Sequence, residues 1–502
     1  MPSCRRFPTN KHTAPSLLGT EGRGHNLSPI MTKHILTFIL LLALTTHITA
    51  QDATAHTPKY VFYFIGDGMG MNQVNGTETY LAAKEGRIGI RPLCFADFPH
   101  TAFATTFSSS HGITDSAAAG SALANGNKTY NGCIGLLPDS ITPVSSIAVW
   151  AREAGAAVGI TTSVSVDHAT PAAFYAHRKN RNMYYEIGQD MCSSQFDFFA
   201  GSDFLKPERP NQASLYQQAQ EAGYTIVRGY RGYQKKARKA DRILMLQSQE
   251  ASNQDRSALP YAIDRQKDDM TLVQITKAAI DFLRKKNPER FFLMVEGGKI
   301  DWAGHNNDAS TVYEEVIDMD NAVRIAYDFY KKHPNETLIV VTADHETGGM
   351  GLGNKNYTLQ FDLLQYQKMS TPQYSNHISR IVKQYGDSLT WEIIKQDLTA
   401  NFGFWDKVKI SQQQEEQLYK AYEDILAGRD KSQKTLYSQF NNLSYLAKSI
   451  LNMNARIGWT SGSHTNGYVP VFAIGAGAQH FHGRIDNTDI PKIIAKVAGY
   501  KH

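Results

Sequence analysis

Short β-branched and aromatic runs alternate with longer stretches of helical periodicity along most of this chain, which restricts it to an α/β fold with a parallel sheet covered by helices on both faces. The runs at 60–65, 158–162, 291–295, 338–342 and 469–474 are predicted strands. Between them, 144–154, 271–286 and 311–332 place apolar residues at helical spacing with polar residues opposite, and are predicted helices. Three of the strands run straight into an acid: Asp67 after Gly66, Glu296 after Val295, and Asp344 two residues beyond Thr342. Sites on open α/β sheets assemble at the carboxyl ends of strands, so these acids are expected to converge. The stretch from about 357 to 455 is rich in Gln, Lys, Tyr and Asn with helical patterns, and reads as a helical insertion within one domain spanning 51–502.

Residues 1–50 read as processing sequence. Lys33 precedes an apolar run at 35–44, shorter than the roughly 18–20 residues a stable membrane span needs. Ile48, Thr49, Ala50 and Gln51 resemble a signal-peptidase site, with cleavage expected after Ala50. The polar stretch before Met31 makes this leader long, so an upstream start codon assigned in error stands beside a real extension. No cysteine follows the run as a lipid anchor would require, and the chain is expected to be secreted, to the periplasm or beyond, with no stable membrane anchor. The net charge of +5 is misleading, because residues 1–50 carry five Lys/Arg against one acid, which leaves +1 for the rest. No nucleic-acid-binding face is expected from that balance. Cys94, Cys133 and Cys192 lie beyond the leader, where an oxidising compartment allows one pair and one thiol; spacing alone does not select the pair.

Several motifs carry chemistry in combination rather than singly. Asp67 lies in IGDGMG, a glycine turn where backbone approaches an ion closely, although an acid in a tight turn has the same appearance. TDSAAAG at 114–120 sets Asp115 and Ser116 before helix formers, leaving Ser116 either an N-cap or a nucleophile favoured by the helix dipole. EGGKIDWAGH at 296–305 spaces Asp301 and His305 four apart after Glu296, so one helical turn can bring both to one ion. TADHETGG adds Asp344 and His345, and SGSHTNG adds His464. Carboxylate and imidazole without thiolate suit catalytic rather than structural zinc. DHATPAAFYAHRKNR at 167–181 holds His168, Thr170 and Arg181; Arg181 is either a bidentate phosphate clamp or part of a solvated basic patch.

Taken in order, DGMG, TDSAAAG, HATPA followed by Arg181, EGGKID with His305, TADHE and SGSHT resemble the alkaline phosphatase family, over 59–353 and again from 457 onward. The resemblance implies a large, mostly parallel sheet between helical layers and hydrolysis of small phosphate monoesters at two Zn2+ and one Mg2+. It implies that Asp301, His305 and His464 hold one zinc, that Asp67, Asp344 and His345 hold the other, and that Thr170 and Glu296 hold magnesium together with Asp67. Ser116 would be the nucleophile and Arg181, oriented by Asp115, would grip the phosphoryl oxygens. It also implies a Cys133–Cys192 bridge with Cys94 a buried thiol, as some animal-type members carry, and leaves a homodimer open. Two positions depart from the best-known bacterial pattern: His168 and Trp302 stand where an Asp and a Lys are usual, close to the phosphate and third-metal sites.

The rivals each lack a feature. A phosphodiesterase or phosphonate hydrolase of the same superfamily would lose the third-metal acid and the clamping arginine, but Glu296, Thr170 and Arg181 are present. A sulfatase needs Cys or Ser in a Cys/Ser-x-Pro-x-Arg context, and Ser116 is followed by three alanines. A silent binding protein on the same fold would require a damaged ligand or nucleophile, and none is seen.

Overall fold

The computed structural model describes residues 56–355 and 357–501, so the leader and the cleavage after Ala50 lie outside the described residues. The five runs read from the sequence all form strands, and five further segments join them in one sheet. In chain order the strands are Tyr60–Gly66 (β1), His100–Thr105 (β2), Ala157–Thr162 (β3), Phe198–Gly201 (β4), Tyr224–Arg228 (β5), Arg242–Leu246 (β6), Phe291–Gly297 (β7), Thr337–Ala343 (β8), Val469–Gly475 (β9) and Gly483–Asp486 (β10). Across the sheet their order is β10-β2-β9-β8-β1-β7-β3-β4-β6-β5. Among the described residues of this sheet only β9 runs against its neighbours, antiparallel to both β2 and β8; the sheet's other pairings are parallel.

The central register decides where the site can be. Ile65 of β1 pairs with Glu296 of β7 on one side and with Thr342 of β8 on the other, so the three carboxyl ends are level. All seven residues of each of these strands are buried, because helices cover both faces. Successive side chains of β1 show the two layers. Phe62 packs edge-on against Phe329 of the helix Ala309–Tyr330, whereas Tyr63 meets Phe174 and donates its hydroxyl to the Leu123 carbonyl in the helix Ser116–Asn125.

Helix starts follow their caps. Thr271 and Gln274 form a reciprocal capping box that opens Leu272–Lys286, and the Asp308 side chain caps Ala309–Tyr330 two residues ahead of the predicted start. The insertion carries the helices Thr371–Tyr385, Trp391–Phe402, Gln412–Leu426 and Asn442–Ala455, capped by Ser370, Thr390, Ser411 and Asn441. It also carries a two-stranded hairpin, Gln433–Lys434 paired with Gln439–Phe440. No described helix is long and apolar enough to cross a membrane.

The expected disulfide is absent. Cys94, Cys133 and Cys192 are free thiols, and Cys94 is only half-buried. Cys192 projects from the helix Tyr184–Ser194 toward the Leu215 carbonyl, while the Cys133 thiol turns into its own loop near Thr129 and Tyr130. Each is held by local partners, and burial raises both thiols above the ordinary cysteine range.

Candidate active site

Asp67, Glu296 and Asp344 leave the level ends of β1, β7 and β8 and are completely buried. The glycine turn after β1 permits this crowding. Gly68 has a φ of +75°, and a Cβ there would lie 2.7 Å from Asp301 Cα. Asp301 and His305 occupy the short helix Lys299–His305 that follows β7, one turn apart as their spacing required.

The imidazoles share one orientation. His305 Nδ1 lies 2.7 Å from the Gly462 carbonyl and His464 Nδ1 lies 2.9 Å from the Thr114 carbonyl, so each ring carries its proton on Nδ1. His345 Nδ1 lies 3.2 Å from Thr347 Oγ1, whose own hydroxyl donates to Asp301. All three rings thereby turn Nε2 inward, the nitrogen a metal would take once it is free of its proton. His305 Nε2 and His464 Nε2 are each 3.4 Å from Asp301 Oδ1 and 3.1 Å from each other. His345 Nε2 is 3.2 Å from Asp67 Oδ1 and 3.3 Å from Asp344 Oδ2. A third grouping brings Asp67 together with Glu296 and His168, and Thr170 Oγ1 lies 3.4 Å from Asp67 Oδ2.

Electrostatics shows what these groups lack. Burial pushes the Asp67 carboxyl well above the usual carboxylate range, and Asp344 and Asp301 add to it; burial likewise pushes Glu296 to about 8 and Asp344 to about 7. Burial also opposes ionisation of Asp301, but His305 and His464 outweigh it and hold that carboxyl low. Asp67 Oδ1, Glu296 Oε1, Asp301 Oδ2 and Asp344 Oδ2 are buried without a hydrogen-bond partner. Inward-facing acceptors in such number, with no donor to meet them, fit divalent cations.

Ser116 is the first residue of its helix and completely buried, with Oγ 3.2 Å from His345 Nε2. It is not the cap. Asp115 is, accepting from Ala118 N, so the capping role open in the sequence belongs to the neighbour. The other Asp115 oxygen receives Arg181 Nη1 at 3.1 Å. Arg181 is therefore not part of a solvated patch: Arg178 pairs with Asp190 elsewhere, and Arg181 Nη2 turns to His168 Nε2 at 3.3 Å and the Tyr437 hydroxyl at 3.4 Å. Burial first, then the Arg181 charge, depresses His168 to about 3 and keeps it neutral.

Tyr437 had no counterpart in the sequence reading. The insertion hairpin delivers it, and its ring stacks on Trp302 with centroids 4.4 Å apart and planes 9° apart. Trp302 itself is buried with Nε1 unpartnered. Thr162 and Thr347 were missed too; they donate to Glu296 and Asp301 respectively. Threonines in strand ends carry no pattern that separates such supporting bonds from ordinary sheet composition.

Carboxylates and inward imidazoles grouped beside a helix-terminal serine, at the carboxyl edge of a mostly parallel sheet, define a metal-binding enzyme of the α/β class. A family model described as alkaline phosphatase matches residues 58–500, and the chain belongs to that family of phosphomonoesterases. It is 30% identical to alkaline phosphatase 3 of Bacillus subtilis over 453 residues, covering 88% of this chain and 89% of that one. Among solved structures, a cold-active alkaline phosphatase from the psychrophile Shewanella sp. superposes with a TM-score of 0.73 at 28% identity, covering 87% of this chain and 99% of that chain. The Thermus thermophilus enzyme gives 0.69 at 25% identity, covering 90% and 95%.

Proposed function

We propose that this chain is an exported alkaline phosphatase that hydrolyses monoesters through a phosphoserine on Ser116. The observation that carries the reading is Ser116 Oγ, free of capping, 3.2 Å from the inward Nε2 of His345 and next in the chain to Asp115, which holds Arg181. Asp301, His305 and His464 would hold one Zn2+; Asp67, Asp344 and His345 a second; Glu296 and Thr170, sharing Asp67, a Mg2+. When bound, such ions supply Lewis acidity that makes a hydroxyl a usable nucleophile and neutralises the leaving oxygen.

The chain's own groups do the rest. Arg181, locked by Asp115, presents its guanidinium to two phosphoryl oxygens and so aligns phosphorus with Ser116 Oγ. The serine oxygen forms the new P–O bond as the ester P–O bond breaks, and the alcohol leaves. Water then displaces Ser116 from the opposite side, giving inorganic phosphate with net retention at phosphorus. Little covalent demand falls on the protein, so positioning and charge carry the acceleration. Export is supported by the apolar run and the Ala50 site in the sequence alone.

The direct test compares hydrolysis of a chromogenic aryl phosphate with that of the matching diester. Turnover of the diester at an equal or greater rate would move the chain to the phosphodiesterase branch.

His168 and Trp302 bear on product release. A lysine at 302 would place an ammonium near the phosphate site, whereas the indole offers one neutral donor, so phosphate is expected to leave this enzyme readily and inhibit it weakly. His168, neutral and facing Glu296 at 3.9 Å, is a poorer partner than a carboxylate for the water shell of Mg2+. A histidine-to-aspartate variant of the related TAB5 alkaline phosphatase holds Mg in the site called M3, which supports examining the same exchange here. Trp302→Lys should tighten phosphate inhibition, and the double variant with His168→Asp should retain Mg2+ better on dilution. Phosphate inhibition that stays the same or weakens in both variants refutes the charge argument.

Tyr437→Phe keeps the stack and removes one hydroxyl from Arg181, a change worth about 0.5–1.5 kcal/mol. Weaker phosphate inhibition by roughly two- to tenfold is expected, with no more than a small fall in Tm, since 1.4 kcal/mol is tenfold. Identical inhibition constants would reduce Tyr437 to packing.

A further inference from the structure

A second cleft, of about 1010 Å³, opens beyond the carboxyl ends of β5 and β6, where Arg228 closes one strand and Gln247 follows the other. Two of its lining side chains are more than nine-tenths buried and yet incompletely partnered. Gln247 is 1% exposed; its Nε2 donates to the Asp255 carbonyl, which fixes the amide orientation and leaves Oε1 with no donor. Lys299 is 4% exposed, and its ammonium lies 3.5 Å above the Tyr261 ring, a contact that satisfies none of its three hydrogen-bond donors. Two neighbouring cations are engaged, while Lys267, also in the lining, is exposed. Arg228 is bound to Asp203 at 2.6 Å and Arg231 to Asp268 at 3.1 Å.

The unmet groups describe a ligand. A buried ammonium calls for an anionic oxygen, and a buried amide oxygen calls for a hydroxyl or N–H. A phosphate dianion is disfavoured, because Glu250, Asp255, Asp268 and Asp269 also line the cleft and would repel it. The same carboxylates accept hydroxyls well. Gln234, Gln254 and Gln266 both donate and accept, and the rings of Tyr230 and Tyr261 offer apolar surface to C–H groups. The volume suits one or two rings. We propose that this cleft binds a hydroxylated monocarboxylate of sugar-acid type, with its carboxylate on Lys299 and a hydroxyl donated to Gln247 Oε1.

The test is calorimetric titration of the metal-loaded enzyme with D-glucuronate, D-glucose and acetate, each with saturating inorganic phosphate in the catalytic pocket. Glucuronate should bind once per chain, at least tenfold more tightly than glucose or acetate. Lys299→Met should remove that preference, and Gln247→Met should weaken glucuronate about three- to tenfold, the worth of one hydrogen bond. Should Lys299→Met fail to fold, Gln247→Met alone decides. The proposal is overturned if glucuronate gives no binding heat at 10 mM or so, if glucose or acetate binds as well, if phosphate displaces it, or if the folded variants bind like the parent.

Discussion

Alanine at position 116 is expected to lower kcat for an aryl phosphate by at least about a thousandfold, a conservative figure for loss of a catalytic nucleophile. Phosphoenzyme trapped by acid quenching should vanish at the same time. The substitution is unusually clean. Ser116 is the first helical residue, and Ala118 N–H donates the cap hydrogen bond to Asp115, so alanine keeps the cap and improves helix propensity. Thermal stability should therefore be nearly unchanged, and the loss of rate can be assigned to chemistry. A variant whose kcat falls less than tenfold, or that still yields phosphoenzyme, would mean another group attacks phosphorus.

Prolonged dialysis against chelator is expected to abolish activity and to lower Tm by several degrees, with Zn2+ plus Mg2+ restoring both. The second readout follows from the burial of Asp67, Glu296, Asp301 and Asp344, which have inward oxygens that no protein donor meets. Ions held at a thousandfold excess over Kd contribute about 4 kcal/mol to the folded state. Removing them leaves several acids in mutual repulsion at low dielectric. Full turnover and an unmoved Tm in excess chelator would refute the assignment of these groups to metal.

The core of this fold was legible because β1, β7, β8 and β3 are buried on both faces and therefore read as continuous apolar runs. β9 has the same character along most of its length. Phe198–Gly201 is only four residues, and His100–Thr105 buries just two of its residues and Gly483–Asp486 none, so their patterns merge with those of loops. The acids and histidines of the site were legible as strand-end motifs, and the register of β1 explains why such distant motifs meet. What stayed hidden has no local mark. Tyr437 lies some 256 positions from its partner Arg181 and belongs to a hairpin within a polar insertion. The Asp115 cap needed knowledge of which residue starts the helix. The cysteines show the opposite error: an inference drawn from family resemblance yielded to the local partners that hold each thiol.

β9 bears on how the pocket is assembled. It lies between β8 and the β2–β10 pair, so those two strands are joined to the other seven only through β9. His464 sits just ahead of it and completes the imidazole pair on Asp301. β1, β7 and β8 together, without β9, do not bring His464 to Asp301. The pocket is therefore completed by sheet closure at β9 and not by the central strands alone.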